Sequence, residues 1–265
     1  MKISATIITF NEETNIKAAC ESVAWADEIL VVDSNSTDAT REIAASCRAR
    51  VIVNPWPGFG AQKQFAVEQA QHDWIFSLDA DERVSQPLRQ NIELLRNHVD
   101  GENADGYLIP RRTFYQRRWI RGGGWYPDKQ LRLFNRTKGH WKQRSVHESV
   151  SMDQGARVGE ISGDLLHYTS PDAAHHHRII GERYAPLSAQ QMFEEGRRTS
   201  LLSVASAGPA AFIRSYILKG GFRDGFAGFT IASFAAHHAF LKHLMLWEKQ
   251  TVDHTHTNEK KNARP

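Results

Sequence analysis

The sequence predicts an α/β fold, a Rossmann-like central sheet with helices on both faces, followed by a C-terminal helical region. Three observations carry this. The first hundred residues alternate short apolar runs with helical patterns. Polar and acidic clusters close the apolar runs, at the carboxyl ends of strands, where open α/β sheets bind ligands. After about residue 104 the pattern changes to short strands, and from Ser170-Pro171 onward to helix.

The elements follow in order. Ile3 to Phe10 reads as a strand, and Asn11 to Asn15 leads into a helical pattern through Ala26. Glu28 to Asp33 is a second strand, apolar on both faces like a central parallel strand. Ser34 to Asp38 is a turn; Ser36 or Thr37 is expected to cap a helix reaching about Cys47, with Asp38 complementing its dipole. Val51 to Asn54 is a third strand, Pro55 to Gly60 a loop, and Ala61 to Gln71 a helix. Trp74 to Leu78 is a fourth, buried strand, and a helix from Ser85 and Pro87 reaches about His98. Short strands are expected at 106–111, 130–134, 145–150 and 164–168, with Gly122-Gly123-Gly124 as a flexible loop. Gly220-Gly221 breaks the helical region, and residues 251–265, polar and without periodicity, read as a flexible tail.

Composition bounds the function. The chain has 265 residues, 41% apolar, enough for one large domain or one domain with an appendage. Net charge is only +3, but residues 111–144 hold eleven Lys/Arg against one acid, Asp128. Such a stretch attracts phosphates, nucleic acid or an anionic membrane surface. Cys20 and Cys47 are too few for a metal framework and read as reduced thiols on helix faces. No signal peptide is legible, and without eighteen consecutive apolar residues no membrane span is expected. Neither a Gly-x-Gly-x-x-Gly turn after strand one nor a P-loop occurs, so dinucleotide and P-loop chemistry lack their phosphate-binding device. Three successive histidines, 175–177, point to different helix faces and read as surface residues.

The chemistry centres on Asp79-Ala80-Asp81-Glu82, which ends the fourth strand. In an extended chain residues i and i+2 point the same way, so Asp79 and Asp81 can serve one hard cation or one pair of sugar hydroxyls. Asn11-Glu12, Asp33 and Asp79-Asp81 should converge on one crevice.

Together, Ile7 to Glu13, Ile29 to Asp38 and Leu78 to Asp81 resemble glycosyltransferase family 2, with its GT-A fold. Trp125 to Phe134, Val146-His147-Glu148 and Leu166-His167-Tyr168 resemble the branch that adds glucose or a related hexose to the heptose region of the lipopolysaccharide inner core. The resemblance covers residues 1 to 170 well and the helical end more loosely. It implies a nucleotide-sugar half over 1–104, an acceptor half over 105–170, a helical region over 171–250 that associates with a membrane or packs on the domain, and the tail over 251–265. It implies an inverting, metal-dependent hexosyltransferase that takes a UDP-sugar, UDP-glucose first, and uses Mg²⁺ or Mn²⁺.

In that reading Thr9, Glu12 and Asp33 line the nucleoside pocket, Asp79 holds the ribose or sugar hydroxyls, and Lys63 reaches the diphosphate. Asp81 holds the metal, with His167 beside it. Glu148 occupies the place of the family's catalytic base, although His147 stands before it where the family has an acid; Asp128 is the rival base. Arg111, Arg112, Trp125, Arg132 and His147 are expected to contact an anionic lipopolysaccharide-core acceptor. The implied location is the cytoplasmic face of the inner membrane, held peripherally, with no nucleic-acid partner. The competing readings are a polyprenyl-phosphate or protein acceptor, and a non-enzymatic module binding anionic lipid or nucleic acid.

Overall fold

The computed structural model describes residues 1–97, 104–142, 148–168 and 173–262, without the side chains at 175 and 252–262. The described chain forms two compact units, one of residues 1–114 and 127–169, the other of residues 115–126 and 170–265. The halves expected at 1–104 and 105–170 thus share one sheet, and a short piece of the second half belongs to the helical unit.

The first unit begins with β1 (Ile3–Thr9), α1 (Ile16–Ser22), β2 (Glu28–Asp33), α2 (Thr40–Ser46), β3 (Arg50–Val53), α3 (Phe59–Gln69), β4 (Trp74–Asp79), β5 (Glu82–Val84) and α4 (Gln86–Asn97). It continues with β6 (Gly106–Tyr115), and after β7 (Arg118–Trp119), which belongs to the second unit, with β8 (Asp128–Asn135), β9 (Gly139–Trp141), β10 (Val150–Met152), β11 (Val158–Glu160) and β12 (Leu165–Tyr168). The main sheet runs β3-β2-β1-β4-β8-β6-β12-β5, with β11 also beside β6. β1 pairs parallel with β2 and β4, and β2 with β3, which is the wound half the sequence predicts. β4 and β6 pair antiparallel with β8, β12 lies parallel to β6, and β5 pairs antiparallel with β12. β9 and β10 form a separate antiparallel pair.

Alternation along the strands splits the core in two. Ile3, Ala5 and Ile7 of β1, Val31 of β2 and Phe76 and Leu78 of β4 pack under α1, α2 and α4, against Ala19, Cys20, Ala44, Leu88 and Ile92. Ile8, Leu30, Val32 and Ile75 face the other way, against Ala66 and Val67 of α3. Helices therefore cover both faces.

Several local expectations change. α1 stops at Ser22 rather than Ala26, because Asp27 turns back: its N–H donates to the Ile3 carbonyl at 3.0 Å and its carboxylate accepts from the Ile3 N–H at 2.8 Å. α2 is not capped by Ser36 or Thr37. Asp38 accepts from the Thr40 N–H at 3.1 Å, and Ser36 is turned inward onto Asp33. The strand expected over 145–150 is seen only from Val150, its earlier residues lying outside the described set. β5, β7, β9 and β11 were too short to carry a periodic signal.

One connection shapes the whole sheet. β4 and β5 are joined by only Ala80 and Asp81, yet three strands lie between them in the sheet order. Four strand spacings laid flat would span about 19 Å, whereas the three peptide links from Asp79 to Glu82 reach at most about 11 Å. The sheet must curl, so that β4, β8, β6, β12 and β5 nearly close a ring at the acidic turn.

The second unit contains β7, then α5 (Ala173–Ile179), a π-helical turn (Ile180–Tyr184), α6 (Ala185–Glu194), α7 (Leu201–Ile213), a second π turn (Arg214–Leu218), a 3₁₀ turn (Gly221–Asp224) and α8 (Gly225–Asn262). Ala189 and Met192 of α6 pack on Leu246, and Tyr115 and Ile120 pack on Ala227 and Ile231 of α8. Gly220 adopts φ +68°, the break that the glycine pair predicts. The expected flexible loop at Gly122–Gly124 is instead clamped. Buried Asp224 accepts from the N–H groups of Arg121 and Gly122, the Gly123 N–H reaches the Lys219 carbonyl at 3.0 Å, and Ser215 Oγ donates to the Gly123 carbonyl. His176 is not a surface residue; it stacks on Phe234 at 4.2 Å. The segment expected to be a tail continues α8 as far as Asn262. Leu201–Leu218 is long and apolar enough to cross a membrane, with mean hydropathy 1.4, although no eighteen successive residues are all apolar.

Candidate active site

Strand register brings the predicted motifs to one edge. Thr9 lies opposite Asp33 across β1 and β2, and Ile8 opposite Asp79 across β1 and β4. Thr9, Asp33 and Asp79 therefore end three adjacent parallel strands, at the switch point where such sheets bind ligands. Glu12 follows β1, and the Asp81 charge reaches it: burial raises the Glu12 carboxyl, Asn15 pulls it down by a hydrogen bond, and Asp81 adds to the rise.

Asp33 is fully buried, and Ser36 donates to its carboxylate through both backbone and hydroxyl. Its charge thus fixes the loop after β2. Ser36 Oγ in turn accepts from the Asn11 N–H at 2.8 Å, tying the loops after β1 and β2 together. Thr9 Oγ1 is buried and has no hydrogen-bond partner among the described residues. A buried hydroxyl without a partner is costly, which marks this edge as a place where a ligand could bond.

Asp79 sits among cations. Lys63 Nζ lies 2.9 Å and Arg132 Nη2 3.1 Å from its carboxylate. Burial pushes the Asp79 carboxyl up, but Lys63 and then Arg132 outweigh it and hold it well below the usual carboxylate range. Lys63 is 3% exposed, so it is no surface lysine; its ammonium also stands 3.6 Å from Glu148 and 4.9 Å from the centre of the Trp141 ring. Arg132, also 3% exposed, bonds Glu82 at 2.8 Å, while its Nε and Nη1 have no partner among the described residues. Arg111 grips Asp128 through Nε and Nη2 at 2.9 and 2.7 Å, Gln130 donates to the other Asp128 oxygen, and Arg111 lies 3.4 Å from Glu82. Arg112 lies 3.7 Å from Asp164.

Glu82 and Trp141 are the residues that sequence reasoning passed over. Glu82 has no exposed surface, pairs with both arginines and accepts from the Asp79 N–H at 3.0 Å. Burial drives its carboxyl up, and Arg132 only partly offsets this. Its signal was the third acid after Asp-x-Asp, to which the sequence pattern assigns no role of its own.

Asp81 and His167 meet on the turn side, with His167 Nε2 3.2 Å from Asp81 Oδ2. Thr113 Oγ1 lies 3.3 Å from His167 Nδ1 and orients the ring, as ligand histidines require. Among the described residues no three His, Cys, Asp or Glu side chains gather as a metal cage. The pair fits a cation such as Mg²⁺ or Mn²⁺, which is bound by one or two carboxylates and keeps water and phosphate oxygens. Of the remaining predicted residues, Trp125 lies in the second unit, packed near Tyr115 and His176, and His147 lies outside the described residues.

The family model described as "Glycosyl transferase family 2" matches residues 4–158. The chain belongs to glycosyltransferase family 2. Its fold is the family's GT-A fold, and it is a glycosyltransferase. The transferase is 32% identical to the lipopolysaccharide core biosynthesis glycosyltransferase LpsC of Rhizobium meliloti (strain 1021), over 95% of this chain and 94% of that one. It is also 32% identical to an uncharacterized glycosyltransferase of Rickettsia bellii (strain RML369-C), over 91% of this chain and 84% of that one. Among solved structures, S. aureus TarS 1-349 in complex with UDP-GlcNAc superposes with TM-score 0.47 at 16% identity, covering 91% of this chain and 90% of that one.

Proposed function

We propose that the transferase moves a hexose, glucose first, from a UDP-sugar to the heptose region of lipopolysaccharide inner core, with inversion, at the cytoplasmic face of the inner membrane. The observation that carries this reading is the meeting of Thr9, Asp33 and Asp79 at one sheet edge, with Asp81 in the turn that follows. The relative LpsC, named for core biosynthesis, supports the acceptor class.

Thr9, Glu12 and the loop fixed by Asp33 would bind the nucleoside. Asp79 would hold ribose or sugar hydroxyls, kept ionised and rigid by Lys63 and Arg132. Asp81 and His167 would hold a divalent cation, which when bound offsets the charge of the departing diphosphate. Lys63 and the unfilled N–H groups of Arg132 suit the same anionic groups.

Glu148 is the better base. The acceptor hydroxyl needs a carboxylate free to take its proton. Asp128 is gripped by Arg111 and Gln130 at 2.7–2.9 Å, whereas among the described residues the Glu148 carboxylate stands 3.6 Å from Lys63 and also feels the Arg132 charge. Arg111 then positions Asp128 rather than the acceptor. Arg112, Trp125 and His147 remain the proposed acceptor contacts.

One observation favours a second acceptor class. The apolar run Leu201–Leu218 suits an enzyme whose acceptor is a polyprenyl phosphate held in the bilayer. The deciding experiment supplies UDP-glucose and Mn²⁺ with either truncated core oligosaccharide or polyprenyl phosphate and measures UDP release. Release with the core acceptor supports the first reading; release with polyprenyl phosphate alone replaces it.

A further inference from the structure

We propose that the second unit carries a docking surface for an anionic phospholipid bilayer, built on the 3₁₀ turn Gly221–Asp224 and the helix ends that flank it. The proposal goes beyond peripheral association as such, because it assigns the face and the side chains that touch lipid.

The surface is apolar where it should be covered. Ile213, Ile217, Leu218, Phe222, Phe226 and Phe229 are exposed, Leu218 at 76% and Phe226 at 75%. Six large apolar side chains within seventeen residues far exceed the scattered exposure ordinary on a soluble surface. Their backbone is held rigidly. Gly220 and Gly225 bracket the turn at positive φ, and buried Asp224 staples it to the N–H groups of Arg121 and Gly122. The turn thus presents Phe222 outward on a fixed support, as an insertion device needs.

Charge selects the partner. Residues 115–126 and 213–229 carry Arg117, Arg118, Arg121, Arg214, Lys219 and Arg223, and their only acid is Asp224. Asp224 is 1% exposed and spends its carboxylate on backbone N–H groups, so it screens none of them. All six cations are exposed. Gln116 and Arg117 both adopt positive φ, which non-glycine residues seldom do, and this turn carries Arg117 into solvent. Arg117, Arg118, Phe226, Ala227 and Gln116 line a cleft of about 450 Å³. Arg118 is anchored there by donating to the Asp224 carbonyl at 2.8 Å, while Arg117 has no acid partner among the described residues. Guanidinium groups and a phenyl ring lining one cleft suit a lipid phosphate and the start of its acyl chains.

The same charge argues against a second copy of the chain. A twofold interface places the same patch on both sides, so six cations would face six. An anionic bilayer satisfies the apolar centre and the cationic rim together.

The test is flotation of the full chain with vesicles. Wild type should float with phosphatidylglycerol–phosphatidylethanolamine vesicles, stay behind with phosphatidylcholine alone, and be released by high salt. Phe222→Ser/Phe226→Ser and Arg117→Glu/Arg223→Glu should each float roughly ten-fold less, with unchanged circular dichroism and thermal unfolding. All four side chains are exposed, so at least one pair will fold and report. Absence of wild-type flotation, or full flotation of both variants, overturns the proposal. Retention after alkaline carbonate points to a spanning helix and overturns it too. So does a dimer in light scattering that Phe222→Ser/Phe226→Ser dissolves. UDP binding with Mn²⁺, measured by calorimetry without vesicles, tests the donor reading separately.

Discussion

Glu82 shows how much one unexposed carboxylate can organise. It reaches Arg132, Arg111 and the Asp79 N–H. Removing it strips buried Arg132 of one of its two paired acids and leaves only Asp79 at 3.1 Å among the described residues, and breaking such a buried pair costs about 3–5 kcal/mol. Glu82→Ala should lower unfolding free energy by that order in urea titration. Asp81→Ala should instead keep its fold, because its side chain is part-exposed and, among the described residues, partnered only by His167, yet lose UDP-sugar turnover about 100-fold or more. Glu148→Gln should cut kcat by about 10²–10⁴, and Asp128→Asn should cost less; the opposite order would exchange the two assignments. At the far end of the sheet, Glu28 accepts from Ser4, Gln71 and Arg50. Burial raises its carboxyl, but these bonds win and hold it below 4.5. Its stabilisation is therefore complete above pH 4.5 and drains away as pH falls through the lowered value. Glu28→Gln should be less stable than wild type at pH 7 and converge with it in acid. The acids Asp33, Asp79 and Asp81 were legible in the sequence because strand ends concentrate chemistry. Glu82 and Trp141 were not: Glu82 meets Arg132 and Arg111 only through the pairing of β4, β8 and β6, and Trp141 meets Lys63 only where β9 comes against α3, and neither is visible without register.

The elements were easiest to read where they were long and apolar. β1, β2 and β4 announced themselves through runs of buried aliphatic residues. β5, β9 and β11 are three residues each and exist only because longer strands receive them. Glycines misled in one direction: the triplet at 122–124 looked free but fits closely. A Cβ at Gly122 would lie 2.4 Å from the Gly220 carbonyl oxygen, and one at Gly228 only 1.8 Å from that of Gly221. Both obstacles are backbone, so neither can swing aside. Gly228→Ala should separate α8 from the 3₁₀ turn and lower the melting temperature by several degrees in scanning calorimetry, on the order of 1–3 kcal/mol of overpacking.

At the scale of the whole molecule, binding and folding are linked through the first unit. Occupancy of a site at one hundred times Kd stabilises by about 2.7 kcal/mol, which for a chain of this size moves the melting temperature by about 5–10 °C. UDP with Mn²⁺ should produce that shift, and a chelator should remove it; a shift of equal size without divalent cation would sever Asp81 and His167 from donor binding. The α/β class and its helical continuation were readable from periodicity alone, but the curl was not, since it depends on which strands lie between β4 and β5. That curl has an engineering consequence. The two-residue link at Ala80-Asp81 is the clasp of a ring, so each added residue would let the ring spring open and scatter Lys63, Arg111 and Arg132 from their acids. The loop at residues 154–156, with no such tension, is where a tag or a new terminus can be introduced and activity kept.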